Sequence, residues 1–359
     1  MPWPPRRTLP AALLGLSLLL MDCTHSARFV PPITPPDPRS YAWNVDTIAL
    51  AGSSATLMKS IWGSSSTDLY VAGHNDLTGG TMFHFDGSAW RRVGLTVSEG
   101  GSIQGNIDLS QVFGFTAVDV FAVGGKTPSG SPPGTPAQAL VIHFDGISWS
   151  EVPVPPGNML RGIWGQRNDE MWAVGDSGTA LHEIGLNLLA TTIPDAGSFN
   201  SVAGVSASDV YALSSRPVVG VHDTTFRSLW QWNGGVWAIV DSFPQVAGHD
   251  DKFGTRSVWS LLAVTYTCGE GVFRLNGSVW ETIIPGTGSG YLNAMYGTTN
   301  ASLFVVGDGG VAYHVNSAGP LKYQPITDAS VNYYGVWTDG LQAYIVGNDG
   351  KRSYVLRGS

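Results

Sequence analysis

Short apolar runs of four to six residues alternate with turns rich in Gly, Asp, Asn and Ser along nearly the whole chain. That pattern predicts strands joined by hairpins. Its clearest stretch starts at Leu57. Ser60-Ile61-Trp62-Gly63 reads as a first strand, and a Ser-rich turn follows that ends in Asp68. Leu69-Tyr70-Val71-Ala72-Gly73 reads as a second strand and Met82-Phe83-His84-Phe85 as a third. Asp86-Gly87 then turns the chain into a fourth strand that carries Trp90. The Asp/Asn-Gly pair supplies a side chain that caps the turn and a residue free to take positive φ.

The same unit recurs, and internal repetition weighs more than any single motif in setting a fold. Later copies hold Val112-Phe113-Gly114 with Asp119 to Gly124, Ile163-Trp164-Gly165 with Met171 to Gly175, and Val202-Ala203-Gly204 with Asp209 to Leu213. Three more hold Val258-Trp259 with Ala263 to Tyr266, Met295-Tyr296-Gly297 with Leu303 to Gly307, and Val336-Trp337 with Ala343 to Gly347. Fourth strands with a tryptophan follow Asp145-Gly146, Asn233-Gly234 and Asn276-Gly277, at Trp149, Trp237 and Trp280. In the third and sixth copies the pattern shows only three strands. The seventh stops after Ser353-Tyr354-Val355-Leu356, without its fourth. A matching segment stands at the front, where Ser40-Tyr41-Ala42-Trp43-Asn44-Val45 reads like Ser88-Ala89-Trp90-Arg91-Arg92-Val93. The expected fold is therefore all-β: a seven-bladed β-propeller over residues 41–359, closed by an N-terminal strand that completes the last blade. Closure leaves no unpaired edge between the chain ends. The repeated tryptophans and inner-strand aromatics are expected to pack within and between blades.

The unit resembles that of the Asp-box and kelch-like bacterial propellers. It is also similar to propellers of the photosystem II assembly-factor type, whose repeat carries a turn like Val174-Gly175-Asp176-Ser177-Gly178-Thr179. The Asp-box match is partial, since Asp86-Gly87-Ser88-Ala89-Trp90 keeps Asp, Gly and Trp but lacks the leading Ser. The resemblance covers Tyr41 to the C-terminus and concerns the fold more than function.

Composition agrees: 43% hydrophobic and 13% charged residues, with 46 Gly and 13 Trp, describe a turn-rich globular β protein. The net charge of −8, without a basic cluster beyond the first residues, argues against a nucleic-acid partner. Residues 1–22 read as a signal peptide. Arg6 and Arg7 precede the apolar run Ala11 to Met21, which is too short to span a bilayer. Cys23 stands where a bacterial lipoprotein is acylated, although Asp22 occupies a position usually held by a small residue. Residues 23–40, with Pro31, Pro32, Pro35, Pro36 and Pro38, read as an extended spacer. The expected location is thus periplasmic or cell-surface, with an envelope membrane touched only through a lipid on Cys23. A monomer is expected.

Motifs that would carry chemistry are thin. Gly175-Asp176-Ser177-Gly178 matches the surroundings of a serine-protease nucleophile, but it falls on the turn after a second strand, as do Gly307-Asp308-Gly309-Gly310 and Gly347-Asn348-Asp349-Gly350. A turn is the reading. Asp-box propellers include sialidases, which need clustered arginines and a Tyr/Glu pair; the arginines here look scattered. His84, His143, His182 and His314 all fall on third strands and read as packed residues, Cys268 as a small buried filler. His249-Asp250-Asp251 forms the one His/Asp cluster of the sequence and reads as a polar loop. No metal, cofactor or catalytic residue is assigned.

Loop lengths point to a face. First-to-second-strand turns are short and uniform, whereas segments 74–80, 97–106, 125–138, 214–227 and 243–255 vary. Propeller topology brings both variable kinds to one end of the ring, which suggests binding on a constant scaffold. The least repetitive residues there are Lys126, Arg216, His222, Asp223, His249, Asp250, Asp251 and Lys252. The resulting expectation is a binding or scaffold module for an envelope or extracellular protein or glycan. Its alternative is a glycan-active enzyme, sialidase-like or a lyase, using the same face.

Overall fold

A computed structural model describes residues 36–359, apart from 78, 185–186, 194, 222–223, 247–251, 263, 287, 289 and 300–301. The signal segment and Cys23 lie outside the described residues, as do His222, Asp223, His249, Asp250 and Asp251. Among the described residues, strands form seven antiparallel four-stranded sheets, the seven blades of a β-propeller. The first, innermost strands are Thr56–Ser65, Asn106–Thr116, Leu160–Arg167, Ser198–Ser206, Ser257–Leu261, Leu292–Thr299 and Asn332–Thr338. Six blades take their strands in chain order. In the seventh, Trp43–Ile48 forms the outer strand, paired from Trp43 opposite Gly358 to Ile48 opposite Ser353.

Two outer strands were invisible in the sequence. Asn187–Thr192 and Gly319–Lys322 complete blades 3 and 6, and neither contains a tryptophan. Residues 36–40, the last part of the expected Pro-rich spacer, are described. Pro38–Ser40 is a 3-10 turn, Pro38 accepts from the Tyr323 hydroxyl at 2.7 Å, and Arg39 donates to Asn316 Oδ1 at 2.6 Å. This short stretch is docked on blade 6.

Repetition in the sequence has a packing reason. Each outer-strand tryptophan lies against the preceding blade: Trp149 stands edge-on to Tyr70 of blade 1 at 5.7 Å, and Trp237 to Trp172 of blade 3 at 5.0 Å. Trp280 donates its indole N–H to Asp241 of blade 4 at 3.0 Å. The Trp-Gly pair of the first strand works across the same seam. A Cβ on Gly114 would fall 2.7 Å from the Trp62 ring, and one on Gly204 2.7 Å from Trp164. Glycine in one blade thus admits the tryptophan of the blade before it.

The third-strand histidines are packed, as their repetition implied. His84 stacks on Tyr70 at 4.3 Å and its Nε2 pairs with Asp68 at 2.6 Å. His143 repeats this with Phe121 at 4.2 Å and Asp119 at 2.7 Å. In blade 4 Gln231 takes the position and donates to Asp209. The aspartate that opens each of these second strands thereby holds the third strand in register. Cys268 is fully buried at the end of its strand.

Candidate functional site

In six first strands the ladder to the second strand skips one residue: Lys59, Ser110, Arg161, Asn200, Asn293 and Tyr334. Each is a β-bulge, which leaves a residue unpaired and re-aims its side chain. Blade 5 has no such skip, and Arg256, just ahead of its first strand, takes the equivalent place. These seven residues line one cavity of about 380 Å³ on the propeller axis.

A glycine makes the crossing possible. Opposite the bulges stand Gly73, Gly124, Gly175, Gly307 and Gly347, the last residues of the Val-Gly and Ala-Gly repeats. A Cβ on Gly124 would lie 2.0 Å from the Asp108 carbonyl oxygen, and one on Gly175 2.2 Å from that of Met159. Where Ser214 and Cys268 replace this glycine, the facing segment supplies one: a Cβ on Gly197 would sit 2.3 Å from the Ser215 oxygen, and on Gly254 2.2 Å from the Cys268 carbonyl carbon. One partner of each close crossing must lack a side chain.

The next residue inward ties the blades together. Ser60 Oγ accepts from the Val112 N–H at 3.1 Å, Gln111 Oε1 from Ile163 at 2.8 Å, and Ser201 Oγ from Val258 at 3.1 Å. Below this layer the channel is apolar, lined by Ile61, Val112, Ile163, Val202, Val258, Met295 and Val336. The aromatics Trp62, Phe113, Trp164, Trp259, Tyr296 and Trp337 follow and line the far part. The channel thus runs from a polar mouth to a largely apolar floor, and among the described residues its lining contains no Asp, Glu or His.

Along the sequence the mouth residues do not stand out as a group, since the arginines look scattered there. They are not scattered in space: Lys59, Arg161 and Arg256 come from blades 1, 3 and 5 to the same cavity. The signal was there, since each stands three residues before the tryptophan of its copy: Trp62, Trp164 and Trp259. Arg161 is held by Asp176 through two hydrogen bonds of 3.1 and 2.9 Å. Arg256 lies over the Tyr291 ring at 4.1 Å. The mouth is at the N-terminal end of the first strands, hence at the end of the ring where the blade-to-blade and second-to-third-strand loops emerge.

Segments 74–80, 97–106 and 125–138 meet at this end, in a crevice of about 390 Å³ lined by His74, Asp76, Asn106, Asp108, Gly125 and Ala137, among others. His74 Nδ1 lies 3.8 Å from Asp108 Oδ2. Asp76 accepts from Ser53 and Ser54, which hold its carboxyl well below the usual carboxylate range. The long segment 125–138 is less loop than expected, because strands Asp119–Thr127 and Gln138–Phe144 extend into it. Segments 214–227 and 243–255 likewise begin as strand, in Asp209–Pro217, Thr224–Trp232 and Trp237–Val246. Of the nominated residues, Lys126 pairs with Glu151, Arg216 lies 5.6 Å over Phe226, and Lys252 donates to Asp241 at 3.0 Å. Each is held by a neighbour rather than gathered at one point.

Ser177 sits in the turn Asp176–Gly178 with φ of 56°, and its amide donates to Ser198 Oγ. Asp176 on this turn is tied to Arg161, so the segment works as a turn that braces the channel mouth.

One buried carboxyl lies elsewhere. Glu183 occupies the third-strand position, opposite Leu188, where Phe85, Phe144 and Trp232 pair with the tryptophans of their outer strands. Its side chain is buried and Oε2 has no partner. Burial, and then the nearby Asp169 and Asp119, push its carboxyl up to about 7. A raised native value means that the stability this group contributes is full below about pH 4.5, its ordinary value, and is lost as pH rises through about 7. Glu183→Gln is therefore expected to be more stable than the wild type at pH 8 and to lose that advantage at pH 4.5. Urea midpoints of both proteins at the two pH values check this; a constant difference would refute it.

Fold and site together define a seven-bladed β-propeller with a polar channel mouth at its variable-loop end. No family model matches the sequence, and neither does any curated protein. Among solved structures the chain is similar to YCF48 bound to a D1 peptide, at 15% identity over 88% of this chain and 96% of that one, with a TM-score of 0.59. YCF48 from Cyanidioschyzon merolae gives 17% identity, 88% and 98% coverage, and 0.58. A catalytically inactive virginiamycin B lyase from Staphylococcus aureus, bound to quinupristin, gives 11%, 88% and 99%, and 0.59. At these identities the likeness establishes the fold.

Proposed function

We propose that this propeller is a binding module that engages a protein through the end carrying the channel mouth and the rim crevice. The observation that carries the reading is the bulge ring: six blades break their ladder at one level, and the residues there, Lys, Ser, Arg, Asn, Asn and Tyr, do not follow the repeat. Packing alone explains the repeated positions and leaves this ring unexplained. A propeller of similar fold, YCF48, is seen with a bound peptide, which supports a protein partner. That the described residues of the channel lining include no carboxylate or histidine favours binding over a glycan-active enzyme.

The reading includes export and a tether, with Cys23 acylated and the Pro-rich segment spacing the domain from an envelope membrane. Cys23→Ser is then expected to move the protein from the membrane to the soluble fraction; a wild type that is already soluble would count against the anchor. For the binding face, residues 128–137 are shortened in one variant and the Ser64–Thr67 turn at the opposite end is altered in another. Partners recovered by wild-type protein from envelope extract should be lost only with the first. Loss only with the second would place the surface on the wrong end.

A further inference from the structure

We propose that the axial channel is a site for a small organic anion with an apolar body, such as a medium-chain carboxylate. This goes beyond the protein-binding reading and does not rest on it.

The mouth concentrates positive charge in an acidic chain. Only 19 Lys and Arg occur against 27 Asp and Glu, yet three of them meet at one level of one cavity. Their charge is only partly consumed. Arg161 is neutralised by Asp176. Lys59 and Arg256 make no ion pair with a described residue, and the Tyr291 ring fixes the Arg256 guanidinium without cancelling its charge. An oxyanion held at the mouth by either of these groups would gain a charge-assisted hydrogen bond, the stronger kind. Behind them Ser60, Gln111 and Ser201 are engaged by backbone N–H groups of the next blades, and the wall then turns largely apolar at Ile61, Ile163 and Val258, where a tail can lie. A simple inorganic anion would use only half of this arrangement. The volume of about 380 Å³ is that of a small-molecule pocket, near the low end of the usual range of ~300–1,000 Å³.

Calorimetric titration at fixed ionic strength tests the assignment with three probes. Decanoate carries head and tail, decyltrimethylammonium the tail with the opposite charge, and acetate the head alone. The wild type is expected to bind decanoate about tenfold or more tighter than either of the others, the scale of one charged hydrogen bond. The Lys59→Ala/Arg256→Ala double variant should lose about tenfold or more in decanoate affinity at an unchanged thermal midpoint, because both side chains are exposed. Arg167→Ala, which removes a charge at the opposite end of the ring, should bind as the wild type does. Equal binding of decanoate and the ammonium, equal losses in the double variant and Arg167→Ala, or no decanoate binding at ~1 mM would each overturn the proposal. So would binding confined to a peptide with an apolar C-terminal residue and a free carboxylate. The pull-down of protein partners is a separate readout, so failure here leaves the scaffold reading standing, and the reverse also holds.

Discussion

Removing residues 36–48 is expected to lower the thermal midpoint of the domain by ~10 °C or more, or to abolish soluble folding. The strand Trp43–Ile48 is the whole outer strand of blade 7 and pairs along its full length with Ser353–Gly358. Ala42 and Ser359 exchange two further backbone hydrogen bonds, of 3.1 and 3.2 Å. The Trp43 ring closes over Gly358, where an added Cβ would lie 2.8 Å from it, and stands edge-on to Tyr323 at 5.3 Å. Tyr41 is buried, stacks on Phe304, and donates to the Leu341 carbonyl at 2.9 Å. Loss of a packed tryptophan alone costs ~3–5 kcal/mol. The deletion adds the loss of Tyr41 and of the ladder that joins the start of the domain to its last blade. Trp43→Ala separates the packing from the pairing and should cost ~3 kcal/mol. Calorimetric midpoints of the three proteins decide the matter. Should the deletion melt within ~2 °C of the full domain, closure contributes nothing to stability.

Gly124→Ala, inside the strand Asp119–Thr127, is expected to cost ~3 kcal/mol, the upper end of what an added methyl group costs in a well-packed site. The new Cβ would meet the Asp108 carbonyl oxygen at 2.0 Å and Leu109 Cα at 2.8 Å, and both are backbone atoms that cannot rotate away. Relief requires the bulge at Ser110 to open, which would carry that residue away from the channel mouth. Gly235→Ala is the control, because its Cβ would make only an ordinary contact with Asn233 at 3.7 Å, and its cost should stay within ~0.5 kcal/mol. Guanidinium midpoints of both variants give the comparison. Equal costs would show that the glycine opposite the bulge is not selected by space.

The repeat made most of the architecture legible before any coordinates. Alternating apolar runs, Asp/Asn-Gly turns and the copy of an outer strand at the front fix blade number and closure, because each is a local signal whose meaning does not depend on distant residues. The histidines of the third strands and the outer tryptophans were also readable, since a residue repeated in blade after blade serves what the blades share, namely packing. Outer strands Asn187–Thr192 and Gly319–Lys322 were not readable, because what marks an outer strand here is its tryptophan, and both lack one.

The channel mouth is the tertiary structure's own contribution. Lys59, Arg161 and Arg256 are separated in sequence by whole blades, and along the chain they look like isolated charges. Their convergence depends on two things that apolar periodicity does not encode. One is ring closure, which brings every first strand to a single axis. The other is the bulge, which breaks the two-residue alternation of a strand at one position and turns toward that axis a side chain the alternation would have sent elsewhere. The sequence alone determined what repeats, because burial of apolar surface dictates it locally. Only the folded ring decided which non-repeating residues meet, because that is set by backbone register across blades and by the glycines that let two backbones approach.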